Sequence, residues 1–259
     1  MNESHLLYAV KDGVAYITIN REKQRNAISI EALDLFHAYL DRALADGSVR
    51  AVCVTGAGDR VFCAGADLGG GLGGSGAAGM AAFKRYAELL KRLTGFPKPT
   101  VARVNGSCVA GGTGFMLACD IVIAGSHAKF GTPEVNVGLF PMMIGALIFR
   151  NVLRKKAMEM VLLGEKISAQ QALEMGMITR VVAPENLDAE MDRVLGVIVK
   201  KSPIGMKIGK LAFYAAEDKP FEEALDFLAQ KIGEVASTQD AVEGITAFIE
   251  KREPNFTGK

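Results

Sequence analysis

The pattern of hydrophobic and polar positions near the N-terminus predicts a strand followed by an amphipathic helix. Val14–Ile19 alternates and is rich in β-formers, which is typical of a half-buried strand. After a polar loop, Ser29 is a good N-cap for a helix over Ile30–Ala45. One face of that helix carries apolar side chains spaced three or four positions apart, at Leu33, Phe36, Leu40 and Leu44.

Two further strand-like runs each lead to a glycine bend. Arg50–Thr55 precedes a bend within Phe62–Leu68, and Thr100–Val104 precedes a bend at Ala110–Gly114. The second bend opens a helical pattern over Phe115–Cys119, and backbone N–H groups at a helix N-terminus have no intrahelical partner. Such groups stabilise a bound anion or an oxygen that becomes anionic during a reaction. Two bends can place two N–H groups on one oxygen, which would form an oxyanion hole.

The rest of the chain predicts one more strand and then mainly helices. An apolar run at Ile121–Ala124 follows the second bend, and helices dominate from about Met142. Ser168 has the signature of an N-cap, and Gly176 ends that helix. A strand is predicted at Ile178–Val182, and helices over Asn186–Lys201, Gly205–Ala216, Phe221–Val235 and Asp240–Lys251. Recurring strand–helix units without a linker predict a single α/β domain.

Composition narrows the class of protein. The 259 residues are 49% hydrophobic and 23% charged, which is ordinary for a soluble globular protein with a large core. A net charge of +1 argues against a general polyanion binder. No apolar run is long enough to span a bilayer, and the N-terminus has no features of a targeting segment. We therefore expect a cytoplasmic protein that does not associate with membranes.

The cysteines and histidines predict no metal site. The cysteines make no CxxC pair and lie in apolar segments, so buried free thiols in a reducing compartment are expected, at Cys53, Cys63, Cys108 and Cys119. The three histidines show no metal-ligand spacing.

Several spaced motifs carry a resemblance to a known family. They are Phe62–Leu68, Val104-Asn105-Gly106 with Gly111-Gly112, Cys119-Asp120-Ile121 and Phe130–Glu134. In this order they resemble the enoyl-CoA hydratase/isomerase (crotonase) family, and the similarity extends from about Val14 to Arg252. The resemblance implies a crotonase-like spiral of ββα units, an α/β fold, over residues 1–200. It also implies a helical C-terminal trimerisation region over residues 201–259 of the same structural unit, in a homotrimer or a dimer of trimers.

The resemblance implies three catalytic positions. The backbone N–H groups of Ala66 and Gly111 would hold the thioester oxygen while an enolate forms. Glu134 matches the family's catalytic glutamate; taken alone, a glutamate after Gly-Thr-Pro is usually a solvated loop carboxylate. Beside a buried acyl chain its pKa would be raised, and it could transfer protons.

The resemblance also implies an acyl-CoA substrate, with coenzyme A as part of that substrate and no separate cofactor. It assigns substrate and coenzyme A contacts to Lys23, Arg25, Ala27, Ala64, Ala66, Leu68, Gly111, Gly114 and Lys251, the last from its own or a neighbouring subunit. Lys and Arg suit phosphate binding, although each is equally compatible with a solvated surface charge. The family's basic residue after Ala-Gly-Ala-Asp is missing, because Gly69 and Gly70 follow Leu68.

One departure from the family changes the expected reaction. Hydratases of the family carry a second glutamate where this chain has Gly114. Hydration requires activation of water and protonation of carbon, which two carboxylates divide between them. A single acid/base favours isomerisation of a double bond, or an atypical hydration of an enoyl-CoA. A hydrolase, a decarboxylase and a non-catalytic or RNA-binding relative also stay open.

Other features have simpler interpretations. The run Gly69–Gly79 is either a mobile flap over the acyl group or an ordinary surface loop. It contains G-x-G-x-x-G at Gly71–Gly76, but no strand leads directly into it and no helix opens inside it, so a dinucleotide site is not expected. The basic pairs Lys84-Arg85 and Lys91-Arg92 fit a solvated helix face better than a nucleic-acid site. Asp120, between a helix and a strand, is interpreted as structural.

Overall fold

The computed structural model describes residues 4–67 and 76–259. The chain forms two β-sheets with helices around them. The strands are β1 Leu6–Lys11, β2 Val14–Ile19, β3 Ala51–Gly56, β4 Val61–Cys63, β5 Thr100–Val104, β6 Ser107–Val109, β7 Ile121–Gly125, β8 Lys129–Gly131, β9 Ile167–Ser168 and β10 Arg180–Val182. The helices are α1 Ile30–Ala45, α2 Gly76–Thr94, α3 Gly111–Leu117, α4 Met142–Asn151, α5 Arg154–Leu163, α6 Ala169–Glu174, α7 Leu187–Ile198, α8 Pro203–Ala216, α9 Phe221–Ala236 and α10 Gln239–Glu250.

The topology is a spiral in which successive strands belong to different sheets. The larger sheet has the order β1-β2-β3-β5-β7-β10, and the smaller one β4-β6-β8-β9. From β3 to β8 each turn contributes one strand to each sheet, and α2 and α3 connect one turn to the next. The pairs that join successive turns are parallel in both sheets. The α/β spiral of ββα units with a helical C-terminal part is therefore confirmed.

Apolar residues from both sheets and the flanking helices form the core. Its largest fully buried side chains include the rings of Phe36, Phe62, Phe96, Phe115 and Phe130. Helix α1 has the predicted bounds, and the Ser29 side chain accepts the N–H of Ala32 at its start. In the last turn of α1 the buried position is Ala43, whereas Leu44 is 44% exposed. The predicted apolar face therefore ends one residue earlier than expected.

Helix α3 differs from the prediction. It covers Gly111–Leu117, so it begins inside the glycine bend rather than at Phe115. Its N-terminal turn lies directly on β4, because a Cβ on Gly112 would overlap the Cys63 carbonyl oxygen and lie 2.8 Å from the Cys63 Cβ. Glycine is a poor helix former, but only glycine allows this close approach.

The four cysteines are free and buried. Burial raises the pKa of the Cys53 and Cys63 thiols to about 12, so both stay protonated at neutral pH. Among the described helices, none combines the length and apolar character needed to cross a membrane.

Candidate active site

Three neighbouring strands of the smaller sheet bring the predicted catalytic residues to one edge. Strands β4, β6 and β8 are parallel neighbours. Ala66, Gly111 and Glu134 each lie two or three residues beyond the carboxyl end of one of these strands. The carboxyl ends of parallel strands meet at the same edge of a sheet, which is where ligands bind in many α/β proteins.

The two glycine bends are in contact. Gly65 has a φ of +94°, and a Cβ on it would lie 2.7 Å from the Ala110 Cβ and 3.0 Å from the Gly111 nitrogen. Both the backbone conformation and this close approach require glycine at position 65. The Cβ position on Gly111 in turn lies 3.6 Å from the Ala66 nitrogen. The contact therefore brings the backbone of Ala66 and Gly111 together.

Both N–H groups are available to a ligand. The first bend is held by its neighbours, since Ile28 donates to the Gly65 carbonyl at 2.8 Å and Asp67 donates to the Ile28 carbonyl at 2.8 Å. Within residues 4–67 and 76–259, no hydrogen bond uses the N–H of Ala66 or Gly111. Two adjacent unused donors are the arrangement that stabilises an oxygen on which negative charge develops.

Glu134 follows a segment that is fastened to the second bend. Ala110 donates its N–H to the Gly131 carbonyl at 2.9 Å, and the Thr113 hydroxyl donates to the same oxygen at 3.3 Å. Pro133 then starts a short 3-10 helix over Pro133–Val137 that includes Glu134. These hydrogen bonds fix the second bend to the segment that leads into the helix of Glu134.

The Glu134 carboxyl has an unusual environment. It is partly buried, and its Oε2 is buried without a hydrogen-bond partner in the described part of the chain. Burial raises the pKa of this carboxyl above its ordinary value of 4.5, although a hydrogen bond to its own backbone opposes the shift. A carboxyl of this kind is suited to accept and return a proton.

Gly114 lies beneath side chains from two other helices. A Cβ on Gly114 would overlap the Tyr86 hydroxyl of α2 and lie 2.5 Å from Cγ2 of Ile144 in α4. The Tyr86 hydroxyl donates a hydrogen bond to the Gly111 carbonyl. Tyr86 was not predicted as a site residue, and its only signal in the sequence is a place on the apolar face of an amphipathic helix.

The residues predicted to contact coenzyme A fall into three groups. Ala64 donates its N–H to the Arg25 carbonyl at 3.1 Å, so the segment with Lys23, Arg25 and Ala27 lies against the first bend. Lys23 and Arg25 are exposed. Lys251 ends α10 in the helical region. Leu68 and the part of the glycine run before Gly76 lie outside the described residues, whereas Gly76–Gly79 forms the first turn of α2.

Two further acidic groups have structural partners. Arg21 pairs with Asp67 at 2.8 Å and donates to the Ala27 carbonyl, a link that sequence reasoning missed. Asp120 accepts from the Thr100 N–H at 2.7 Å and pairs with Lys210 at 2.6 Å. Its structural interpretation is therefore confirmed. No group of three or more His, Cys, Asp or Glu among the described residues is arranged to hold a metal ion.

Comparison with known proteins gives consistent matches over nearly the whole chain. The family model for enoyl-CoA hydratase/isomerase matches residues 9–259. The short-chain-enoyl-CoA hydratase of Clostridium acetobutylicum is 34% identical, covering 93% of this chain and 94% of that protein. The 2,3-dehydroadipyl-CoA hydratase of Escherichia coli is also 34% identical, covering 99% of this chain and 100% of that protein.

Solved structures show the same similarity. The enoyl-CoA hydratase from Bacillus anthracis superimposes with a TM-score of 0.94 at 30% identity, covering 98% of this chain and 100% of that one. The enoyl-CoA hydratase from Mycobacterium smegmatis gives a TM-score of 0.94 at 34% identity, covering 98% and 99%.

Proposed function

The chain belongs to the enoyl-CoA hydratase/isomerase family, and from this premise we propose that it isomerises a double bond of an enoyl-CoA thioester with Glu134 as its single acid/base. The observation that carries the proposal is the combination of a partly buried Glu134 carboxyl, whose Oε2 has no hydrogen-bond partner among the described residues, with a Gly114 position that has no room for an acid. Asp67 and Asp120 are engaged by Arg21 and Lys210.

The proposed reaction is a proton transfer between two carbons. The Glu134 carboxylate removes a proton from C2 of a 3-enoyl-CoA, and the electron pair moves onto the thioester oxygen to form an enolate. The N–H groups of Ala66 and Gly111 donate to that oxygen, which lowers the energy of the negative charge. Glu134, now protonated, gives the proton to C4, the double bond moves to C2–C3, and the carboxylate is restored. No cofactor is consumed.

Hydration of a 2-enoyl-CoA is the second candidate, because the relatives named above are hydratases. With a single carboxyl, Glu134 would take a proton from water as the hydroxyl adds to C3, and the same group would return that proton to C2. The absence of a second acid at position 114 makes this reaction slower than in a two-carboxylate site.

The reaction products distinguish isomerisation from hydration. Purified protein is incubated separately with 3-enoyl-CoA and 2-enoyl-CoA, and products are identified by mass spectrometry and NMR. The proposal predicts conversion of the 3-enoyl to the 2-enoyl thioester at unchanged mass, with much slower addition of water. Faster hydration than isomerisation would contradict it, and no turnover of any acyl-CoA would favour the non-catalytic or RNA-binding alternative.

We also propose that the helical C-terminal part mediates assembly into a homotrimer or a dimer of trimers. Apolar side chains on α9 and α10 support this, since Phe221, Ile232, Ile245 and Phe248 are between 63% and 84% exposed. Size-exclusion chromatography with light scattering tests it, and a monomer would contradict it. A cytoplasmic location is part of the same proposal and is tested by cell fractionation.

A further inference from the structure

The space beside Gly114 is filled by a side chain that the proposed proton transfer does not use. Tyr86 is 8% exposed, and its hydroxyl would overlap the first carbon of any side chain at position 114. Ile144 Cγ2, at 2.5 Å, and Leu90 Cδ2, at 3.3 Å, complete the contacts around that point. Three side chains from α2 and α4 therefore close this part of the site.

The Tyr86 ring is fixed from two sides. It packs edge-on against Phe115 with ring centroids 5.2 Å apart, and Phe115 stacks on Phe36 of α1 at 5.3 Å. At the other end of the ring, the hydroxyl donates to the Gly111 carbonyl. The Cβ position on Gly111 lies 3.4 Å from this hydroxyl and 3.6 Å from the Ala66 nitrogen, so Tyr86 borders the oxyanion bends themselves.

The Tyr86 hydroxyl is not a substitute base. Burial raises its pKa well above 10, and the nearby charge of Glu134 raises it further, so the phenol stays neutral. Its one proton is already given to the Gly111 carbonyl. Tyr86 therefore occupies the volume of a second proton-transferring group without supplying one.

We propose that Tyr86 is a specificity-determining residue of this site: it fills the space that an acidic side chain at position 114 would need, which leaves Glu134 as the group that transfers the proton. The claim about reaction choice rests on the proposed function. The overlap between Tyr86 and a side chain at position 114 concerns packing alone and is tested separately.

A double-mutant cycle in thermal stability tests the volume claim without any substrate. Alanine is a better helix former than glycine, so Gly114→Ala would be neutral or stabilising if the site were open. Overlap with Tyr86 predicts instead that Gly114→Ala lowers the Tm by about 5 °C. In a Tyr86→Phe background, where the overlapping atom is gone, at least half of that loss is recovered.

The matched control is Gly196→Ala in α7, where a Cβ would meet nothing within 4 Å. This substitution leaves the Tm unchanged or raises it. The cycle is repeated with Ile144→Ala in place of Tyr86→Phe to measure the second contact. An equal Tm loss for Gly114→Ala with Tyr86 and with Phe at position 86 would overturn the volume claim.

The reaction claim is tested by placing an acid at position 114 with and without Tyr86. Hydration of 2-enoyl-CoA is compared among Gly114→Glu, Tyr86→Ala and the double variant. We expect the double variant to hydrate at least 10-fold faster than either single variant, because the closest overlap with the new side chain, that of Tyr86, is removed only there. Equal hydration by Gly114→Glu and the double variant, including none in both, would overturn this role.

The two experiments separate this inference from the proposed function. Wild-type protein that fails to isomerise 3-enoyl-CoA refutes the proposed function but leaves the Tm cycle standing. Wild-type protein that isomerises while the cycle shows no coupling retains the proposed function and refutes the role of Tyr86.

Discussion

Gly114 lies in the second glycine bend and Glu134 follows a segment hydrogen-bonded to that bend, but the surroundings of the two residues are opposite. Glu134 has a buried carboxyl oxygen without a partner among the described residues, so it is free to exchange a proton. Gly114 has no functional group, and a tyrosine whose proton is already committed covers it. The oxyanion bends alone therefore do not decide the reaction. In the proposed function, the side chains that α2 and α4 pack beside the bends limit the site to one proton-transferring group.

The largest expected effect comes from removing the Glu134 carboxyl, which transfers the proton in the proposed reaction. Glu134→Gln keeps the shape of the side chain but cannot accept a proton, so turnover of 3-enoyl-CoA falls by about 10²–10⁴-fold. The measurement is the initial rate at saturating substrate. Glu165→Gln, at an exposed glutamate, is the matched control and changes the rate less than about twofold. A nearly wild-type rate for Glu134→Gln would show that the Glu134 carboxyl does not transfer the proton.

A smaller effect is expected from disturbing the two glycine bends while Glu134 and Gly114 stay unchanged. Gly65→Ala places a Cβ 2.7 Å from the Ala110 Cβ at a φ of +94°, so the bends must move apart. Loss of one oxyanion donor lowers kcat by about 10²–10³-fold. Gly47→Ala, where a Cβ meets nothing within 4 Å, is the control. If Gly65→Ala raised only KM, the two N–H groups would be binding groups alone.

The pH dependence of thermal stability tests whether burial raises the pKa of the Glu134 carboxyl. Its pKa is raised on folding above the ordinary 4.5, so the folded state binds more protons in the window from 4.5 up to the folded pKa. Stability conferred by the protonated form is therefore lost as pH rises through that window. We expect the Tm of Glu134→Gln relative to wild type to increase as the pH rises above the ordinary carboxyl pKa of 4.5.

Thermal unfolding of both proteins at several pH values checks this prediction. Glu165→Gln again serves as the control and should follow wild type throughout. A constant Tm difference between Glu134→Gln and wild type would mean that the carboxyl is not perturbed by burial.

The smallest effect is expected away from Glu134 and Gly114, at the predicted coenzyme A contacts. Lys23 and Arg25 are exposed, so replacing either by alanine removes one solvated charge from a phosphate site and raises KM about 2–5-fold with kcat unchanged. The increase should shrink at high salt. Lys200→Ala, at another surface charge, is the control. An effect on kcat would place these residues in the reaction rather than in binding.

The sequence predicts elements whose signals are local. Helix α1 combines an N-cap at Ser29 with a continuous apolar face, so both its start and its direction follow from nearby residues. Strands β4, β6 and β8 have three residues each, too few for an alternating pattern. They form because the spiral aligns them as parallel neighbours, which only the tertiary structure provides.

Local sequence signals likewise predict part of the candidate site, and tertiary contacts provide the rest. The glycine bends follow from local sequence patterns, whereas the role of Glu134 is implied by the family resemblance and stays a prediction. The covering of Gly114 was not predicted, because Tyr86 lies 28 positions earlier and its hydroxyl meets Gly114 only when α2 packs on α3. The start of α3 at Gly111 was missed for a related reason, since its helix-breaking glycines are needed for contact with β4.

The most direct test of a single proton-transferring group follows one hydrogen through the reaction. A 3-enoyl-CoA with deuterium at C2 is converted by the wild-type protein in ordinary water, and the product is examined by deuterium NMR. If Glu134 alone moves the proton, part of the label removed from C2 appears at C4 of the 2-enoyl product. Transfer of the label from C2 to C4 that persists in Glu134→Gln would contradict this account, because another group would then carry the proton between the two carbons.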